Sequence, residues 1–122
     1  MNPAPSEGDH LPVLDLQYIS DWGADLGEAA ARDFLATYLE LLPARLAGIT
    51  SAVLAEDSDA AMERLISLKV TSAMVGALRL SALARDLELM VRAAAWRSAR
   101  VVLTPLAEET AAVQGEGSEA GY

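Results

Sequence analysis

The sequence predicts an all-α protein, an antiparallel four-helix bundle with a short additional helix at its N-terminal end. Three observations carry that expectation. Apolar residues make up 52% of the 122 positions while aromatics make up only 5%, and the apolar share is dominated by Ala and Leu, both good helix formers. Apolar positions recur at helical spacing, with no strand-like alternation and no internal repeat. Short breaks divide the chain into segments of helix length, and short connections favour antiparallel neighbours.

Taken in order, residues 1–13 contain three prolines with Ser6, Gly8 and Asp9 among them, and read as a flexible N-terminal tail. A short helix is expected from Leu14 to Leu26, with Leu16, Ile19 and Trp22 on its apolar side and Gly27 to end it. A long one follows from Glu28 to Ala55 through Phe34, Leu35, Tyr38, Leu42, Leu46, Ile49 and Val53. Pro43 falls inside it and should kink it, since proline has no N–H and crowds the preceding turn. The Glu56-Asp57-Ser58-Asp59 break supplies N-cap candidates and first-turn acids for a third helix reaching about Gly76. A fourth spans about Leu78 to Ala94, and a fifth about Arg97 to Gln114 with Pro105 inside it. Residues 115–122, rich in Gly and Glu, read as a flexible C-terminal tail, leaving 14–114 as the one helical domain.

Composition excludes several function classes. The chain has no cysteine, which removes disulfides, thiolate metal sites and cysteine nucleophiles together. No signal-peptide pattern opens it, and the uncharged stretch Leu46 to Ala55 falls far short of the ~18–20 residues that span a bilayer. The expectation is a cytoplasmic protein without membrane contact. A net charge of −9 argues against nucleic acid as a partner, because such binding rests on neutralising phosphates. The charge is unevenly spread: residues 1–63 carry twelve acids against Arg32 and Arg45, whereas residues 64–100 carry seven bases against Asp86 and Glu88. That basic sector either steers toward an acidic partner or is an ordinary solvated face.

The informative stretch is Arg64-Leu65-Ile66-Ser67-Leu68-Lys69-Val70-Thr71-Ser72-Ala73-Met74-Val75-Gly76-Ala77. It resembles the signature of histidine-containing phosphotransfer (HPt) domains, in which a phosphorylatable histidine is followed by x-Leu-Lys-Gly-Ser, a few small residues and Gly-Ala. Leu68, Lys69, Thr71 in place of the usual Ser, Gly76 and Ala77 fall in register. Leu87-Glu88 matches a Leu-Glu common downstream, and Asp57 stands where the family often begins this helix. The resemblance covers about residues 14–114 and implies the four-helix HPt fold, a place in two-component phosphorelay signalling, and a response-regulator receiver domain or a histidine kinase as partner.

Two departures bear on function. The histidine position is Ile66, and the usual glycine four residues on is Val70. An aliphatic side chain has no nucleophilic nitrogen and cannot form a phosphoramidate, so the expectation is a degenerate, non-catalytic member. The chain's one histidine, His10, lies in the tail, where no rigid helix face presents it.

At 100° per residue, Ala61, Leu65, Leu68, Ser72, Val75 and Gly76 share one side of the third helix and should face the core. Met62, Ile66, Val70, Ala73 and Ala77 form a second apolar ridge, bordered by Lys69. In HPt domains this second face is exposed and receives the partner, so the resemblance makes Met62, Ile66, Lys69, Val70, Ala73 and Ala77 the candidate partner-binding residues. The alternative placement buries the ridge beneath a neighbouring helix or tail. No cofactor is expected and no metal: inward Glu-x-x-His pairs are absent, and Asp33, Glu40 and Glu63 read as solvated. No phosphate loop, nucleophile elbow or Ser–His–Asp set can be assembled, so no enzyme is expected. Two functions follow: an interaction module that binds a signalling partner without carrying phosphate, or a helical scaffold protein that forms a homodimer or larger assembly through the Met62/Ile66/Val70/Ala73 ridge.

Overall fold

A computed structural model describes residues 11–122, apart from the side chains of Trp22 and Leu26; residues 1–10, including His10 and most of the expected N-terminal tail, lie outside the described residues. The described chain is all-helical: α1 (Leu16–Leu26), α2 (Glu28–Leu54), α3 (Ser58–Met74), α4 (Leu78–Arg92) and α5 (Trp96–Glu119). α2 packs on α3, α3 on α4, α4 on α5, and α5 returns to α2, while α1 lies against α2. Three-residue connections join consecutive long helices, which obliges each to run back along its predecessor. The result is the expected antiparallel four-helix bundle with a short N-terminal helix. No helix among the described residues is long and apolar enough to cross a membrane.

The core follows from the helical spacing. Leu35, Leu42 and Ile49 of α2 meet Leu65 and Leu68 of α3, Leu80 and Leu87 of α4, and Leu106 and Val113 of α5, all essentially solvent-free. Asp15 caps α1 by accepting from the Tyr18 amide at 3.2 Å, and Asp57 caps α3 by accepting from the Ala60 amide at 3.1 Å. Each carboxylate thereby satisfies an amide that has no partner within its helix.

α2 to α5 all end in the same way. A residue in the left-handed region follows each helix, namely Glu56, Gly76, Ala94 and Gly121. The next amide reaches back five residues to close the end: Asp57 to Ala52, Ala77 to Ser72, Ala95 to Met90 and Tyr122 to Gly117, at 2.8–2.9 Å. This double-bonded stop satisfies carbonyls the helix leaves open. At Gly76 the glycine is required twice over, by φ of 81° and because a Cβ there would lie 2.8 Å from the Asp15 carbonyl oxygen. The Asp15 amide in turn donates to the Gly76 carbonyl at 2.9 Å, fixing the entry of α1 against the α3–α4 turn.

Both expected tails are shorter than the composition implied. α5 continues past Gly115 to Glu119, and Tyr122 packs on the core with its ring 5.3 Å from the Arg32 guanidinium. Gly117 makes this possible: it is buried against Leu39, whose side chain a Cβ would strike, so α5 approaches α2 closely. At the other end, the Leu11 and Pro12 carbonyls accept from the Arg79 side chain and backbone amide, each at 3.2 Å, and Val13 packs on the core. The Arg79 guanidinium also approaches Glu109 at 3.8 Å; burial raises the pKa of that carboxyl and leaves its Oε1 without a hydrogen bond. α2 passes unbroken through Pro43. The Leu39 carbonyl, which would have bonded an amide at position 43, instead accepts from Gln114 Nε2 at 3.3 Å.

Ala94 has φ of 54°, a conformation that burdens any residue with a Cβ. Ala94→Gly should therefore stabilise the bundle by about 0.5–1 kcal/mol after the looser unfolded chain is counted. Urea unfolding checks this, and an unchanged or lower midpoint would refute it.

Candidate functional site

α3 is held between its neighbours by polar contacts on both flanks. On the α4 side, Lys69 Nζ donates to Glu88 Oε1 at 2.7 Å, Arg92 approaches Glu88 Oε2 at 3.5 Å, and Ser81 Oγ donates to the Lys69 carbonyl at 2.8 Å. Glu88 is buried, and its charge is met by two cations. On the α2 side, Arg45 Nη1 donates to Thr71 Oγ1 at 2.9 Å, while that hydroxyl donates to the Ser67 carbonyl at 2.8 Å. Beneath them, Tyr38 Oη and Ser72 Oγ share a fully buried hydrogen bond of 2.6 Å. Burial raises the Tyr38 pKa to about 12, against the lowering effects of the Ser72 hydrogen bond and the Arg45 charge.

With both flanks tied down, the outward crest of α3 is fixed. Ala61, Leu65, Leu68, Ser72 and Val75 point inward and are buried, as the helical wheel requires. Ile66 and Val70 stand 41% and 49% exposed, one turn apart. Met62 and Ala73 are half-buried on the shoulder toward α4, with Met62 packed against the core. Ala77 is fully buried and is no part of an accessible surface. Its helical-wheel position assumed that α3 continues to residue 77, whereas the helix ends at Met74 and the chain turns inward at Gly76. Lys69 borders the crest but is committed to Glu88.

The exposed crest contains a residue that the sequence reading omitted. Met74 is 38% exposed and completes an i, i+4, i+8 run with Ile66 and Val70. That spacing was visible in the sequence; the ridge was drawn toward Ala73 and Ala77 instead. Tyr18 is exposed too, and its Cβ lies close to Gly76, at the C-terminal end of α3. Across the α2–α3 groove, Phe34, Thr37, Tyr38, Leu41, Arg45 and Thr71 line a depression of about 120 Å³. A second depression of about 210 Å³ is lined by Arg45, Glu63, Arg64 and Ser67.

Chemically this face is largely apolar and has little to react with. Ile66 offers no lone pair, and no histidine lies among the described residues. Nor do the described residues contain a group of three histidine, cysteine or acidic side chains able to hold a metal.

Two measurements test the geometry. Leu68→Ala should cost about 2–5 kcal/mol, as a buried leucine does, and Ile66→Ala appreciably less; equal large losses would place Ile66 in the core. The Tyr38 hydroxyl should ionise only near pH 12, so Tyr38→Phe should remove the latest component of the tyrosinate absorbance change. Because the folded state raises this pKa, the associated stability is intact below pH ~10 and is lost as pH climbs toward 12.

The comparisons with known proteins agree on the architecture. The chain superimposes on the crystal structure of histidine-containing phosphotransfer protein B (HptB) from Pseudomonas aeruginosa PAO1 with a TM-score of 0.81, covering 89% of this chain and 94% of that one. At 23% identity that likeness speaks for the fold. No curated protein matches the chain. The family model described as Hpt domain matches residues 33–116, a span that holds the capped start of α3, its crest and both flanking contacts, and the chain belongs to the Hpt domain family.

Proposed function

We propose that this protein is a non-phosphorylatable Hpt domain of a two-component phosphorelay, docking a receiver domain or a histidine kinase through the α3 crest without carrying phosphate. One observation carries the reading. The position that the family signature gives to the phosphorylated histidine is Ile66, and it sits half-exposed at the head of the Ile66, Val70 and Met74 run. The place of the reactive group has been kept while its chemistry has been removed.

What remains is suited to contact. Aliphatic side chains left in water forgo roughly 1.5–3 kcal/mol each relative to full burial. Covering several of them offsets part of the entropy lost when two proteins associate. An apolar run rimmed by polar groups is a common form of protein contact surface, and here the rim is Glu63, Ser67 and Thr71. Such a module acts as a scaffold or as a competitor of phosphate-carrying Hpt domains.

The test combines transfer and binding. Incubation with a phosphorylated receiver domain should leave no acid-labile phosphate on this protein, and stoichiometric label that survives His10→Ala would sink the reading. Val70→Glu and Ile66→Asp should each abolish binding of the receiver or kinase partner, with circular dichroism unchanged. A stable homodimer that both substitutions dissolve, with no receiver or kinase bound, would instead make the crest a self-association surface.

A further inference from the structure

The geometry points to an oxyanion site of the phosphate type in the α2–α3 groove, formed by the Arg45 and Arg64 guanidinium groups with the Ser67 hydroxyl. Arg45 comes from α2, and Arg64 and Ser67 from adjacent turns of α3; together with Glu63 they line the depression of about 210 Å³. Three other cations of α3 and α4 are spoken for, since Lys69 and Arg92 meet Glu88 and Arg79 meets Glu109. Neither Arg45 nor Arg64 has a carboxylate partner among the described residues, although Glu63 lines the same depression.

One guanidinium group is tethered and the other has room beside α2. Arg45 is anchored by its 2.9 Å bond to Thr71 Oγ1, which leaves its remaining N–H groups for a ligand. The Arg64 guanidinium lies over Gly48 of α2, where a Cβ would displace it. Gly48 is interior to α2, where glycine weakens a helix, so its presence there goes with room for an arginine head group. Two guanidinium forks from different helices, with a hydroxyl lining the same depression, match the several acceptor oxygens of a phosphoryl group. Glu63 opposes an anion and sets the affinity lower than the arginines alone would give.

The site binds a phosphoryl group through these donors, and among the described residues no base is hydrogen-bonded to Ser67 to turn its hydroxyl into an acceptor. Ser67 directly follows Ile66, so a phosphoryl group carried by a protein seated on the crest lies at the edge of this groove. Only that source of the ligand rests on the docking reading; the site itself is tested without a partner.

Titration of the isotope-labelled protein with inorganic phosphate, followed by amide NMR at ionic strength fixed with chloride, should give saturable shifts at Ser67 and Thr71. Arg64→Gln should weaken the apparent affinity at least about tenfold, and Glu63→Gln should tighten it several-fold by removing the opposing charge. Gly48→Ala separates binding from folding: it should weaken phosphate binding while melting no lower than the parent. Phenyl phosphate binding more tightly than inorganic phosphate assigns the site to a carried phosphoryl group, and the reverse order assigns it to the free anion. Shifts that match the chloride control, or affinities unchanged in both Arg64→Gln and Gly48→Ala, overturn the proposal. Phosphate binding that persists in a protein with no docking partner keeps the site and discards the docking reading alone.

Discussion

The buried hydrogen bond between Tyr38 and Ser72 is the contact on which the placement of α3 depends. Apolar helix faces tolerate small rotations and slips, because one aliphatic contact replaces another at little cost. A hydroxyl pair in the dry centre of a bundle has no such substitutes: separating it strands two polar groups away from water. Ser72 therefore has one acceptable azimuth, and Leu65, Leu68 and Val75 fall into the core around it. Everything on the opposite side inherits that orientation. Ile66 and Val70 face outward because Ser72, on the same helix, cannot turn away from α2.

The flanking contacts divide labour around that axis. Glu88, buried among apolar neighbours, requires compensation and takes it from Lys69 and Arg92, so much of the basic character counted along residues 64–100 is consumed within the fold. The charge distribution in the sequence thus described two different things at once. Part of it is internal neutralisation between α3 and α4, and part is cations such as Arg64 and Arg85 that have no carboxylate partner among the described residues. Primary structure does not separate these, because the distinction depends on which helix faces which.

Much of the architecture was legible before any coordinates. The apolar spacing located the helices, Asp57 announced the start of α3, and the inward face of α3 followed from 100° steps alone. Legibility failed where tertiary contact overrode local preference. Gly115 and Gly117 look like helix breakers, yet α5 runs through both because Gly117 provides the clearance that seats it against Leu39. The chain around Leu11 and Pro12 looks like loose tail, yet Arg79, nearly seventy residues away, gathers both carbonyls. At the site, extending the helical wheel beyond the turn at Gly76 puts the buried Ala77 on the ridge, whereas Met74 lies within α3 and its spacing from Ile66 and Val70 is plain in the sequence. Lys69 was placed correctly on the helix, but its partner Glu88 belongs to another element and was invisible to periodicity.

Pro43 turns an interruption into a coupling. By withholding one amide it leaves a single carbonyl in α2, that of Leu39, without its helical donor, and Gln114 of α5 supplies the missing bond. Two positions seventy-one residues apart thus become interdependent. With proline at 43, the amide at 114 answers a real vacancy; with any other residue at 43, the helix would close its own ladder and the side chain at 114 would be released to vary. The acceptable identity of one residue is thereby conditional on the other, and a substitution that is harmless in one background becomes costly in the next.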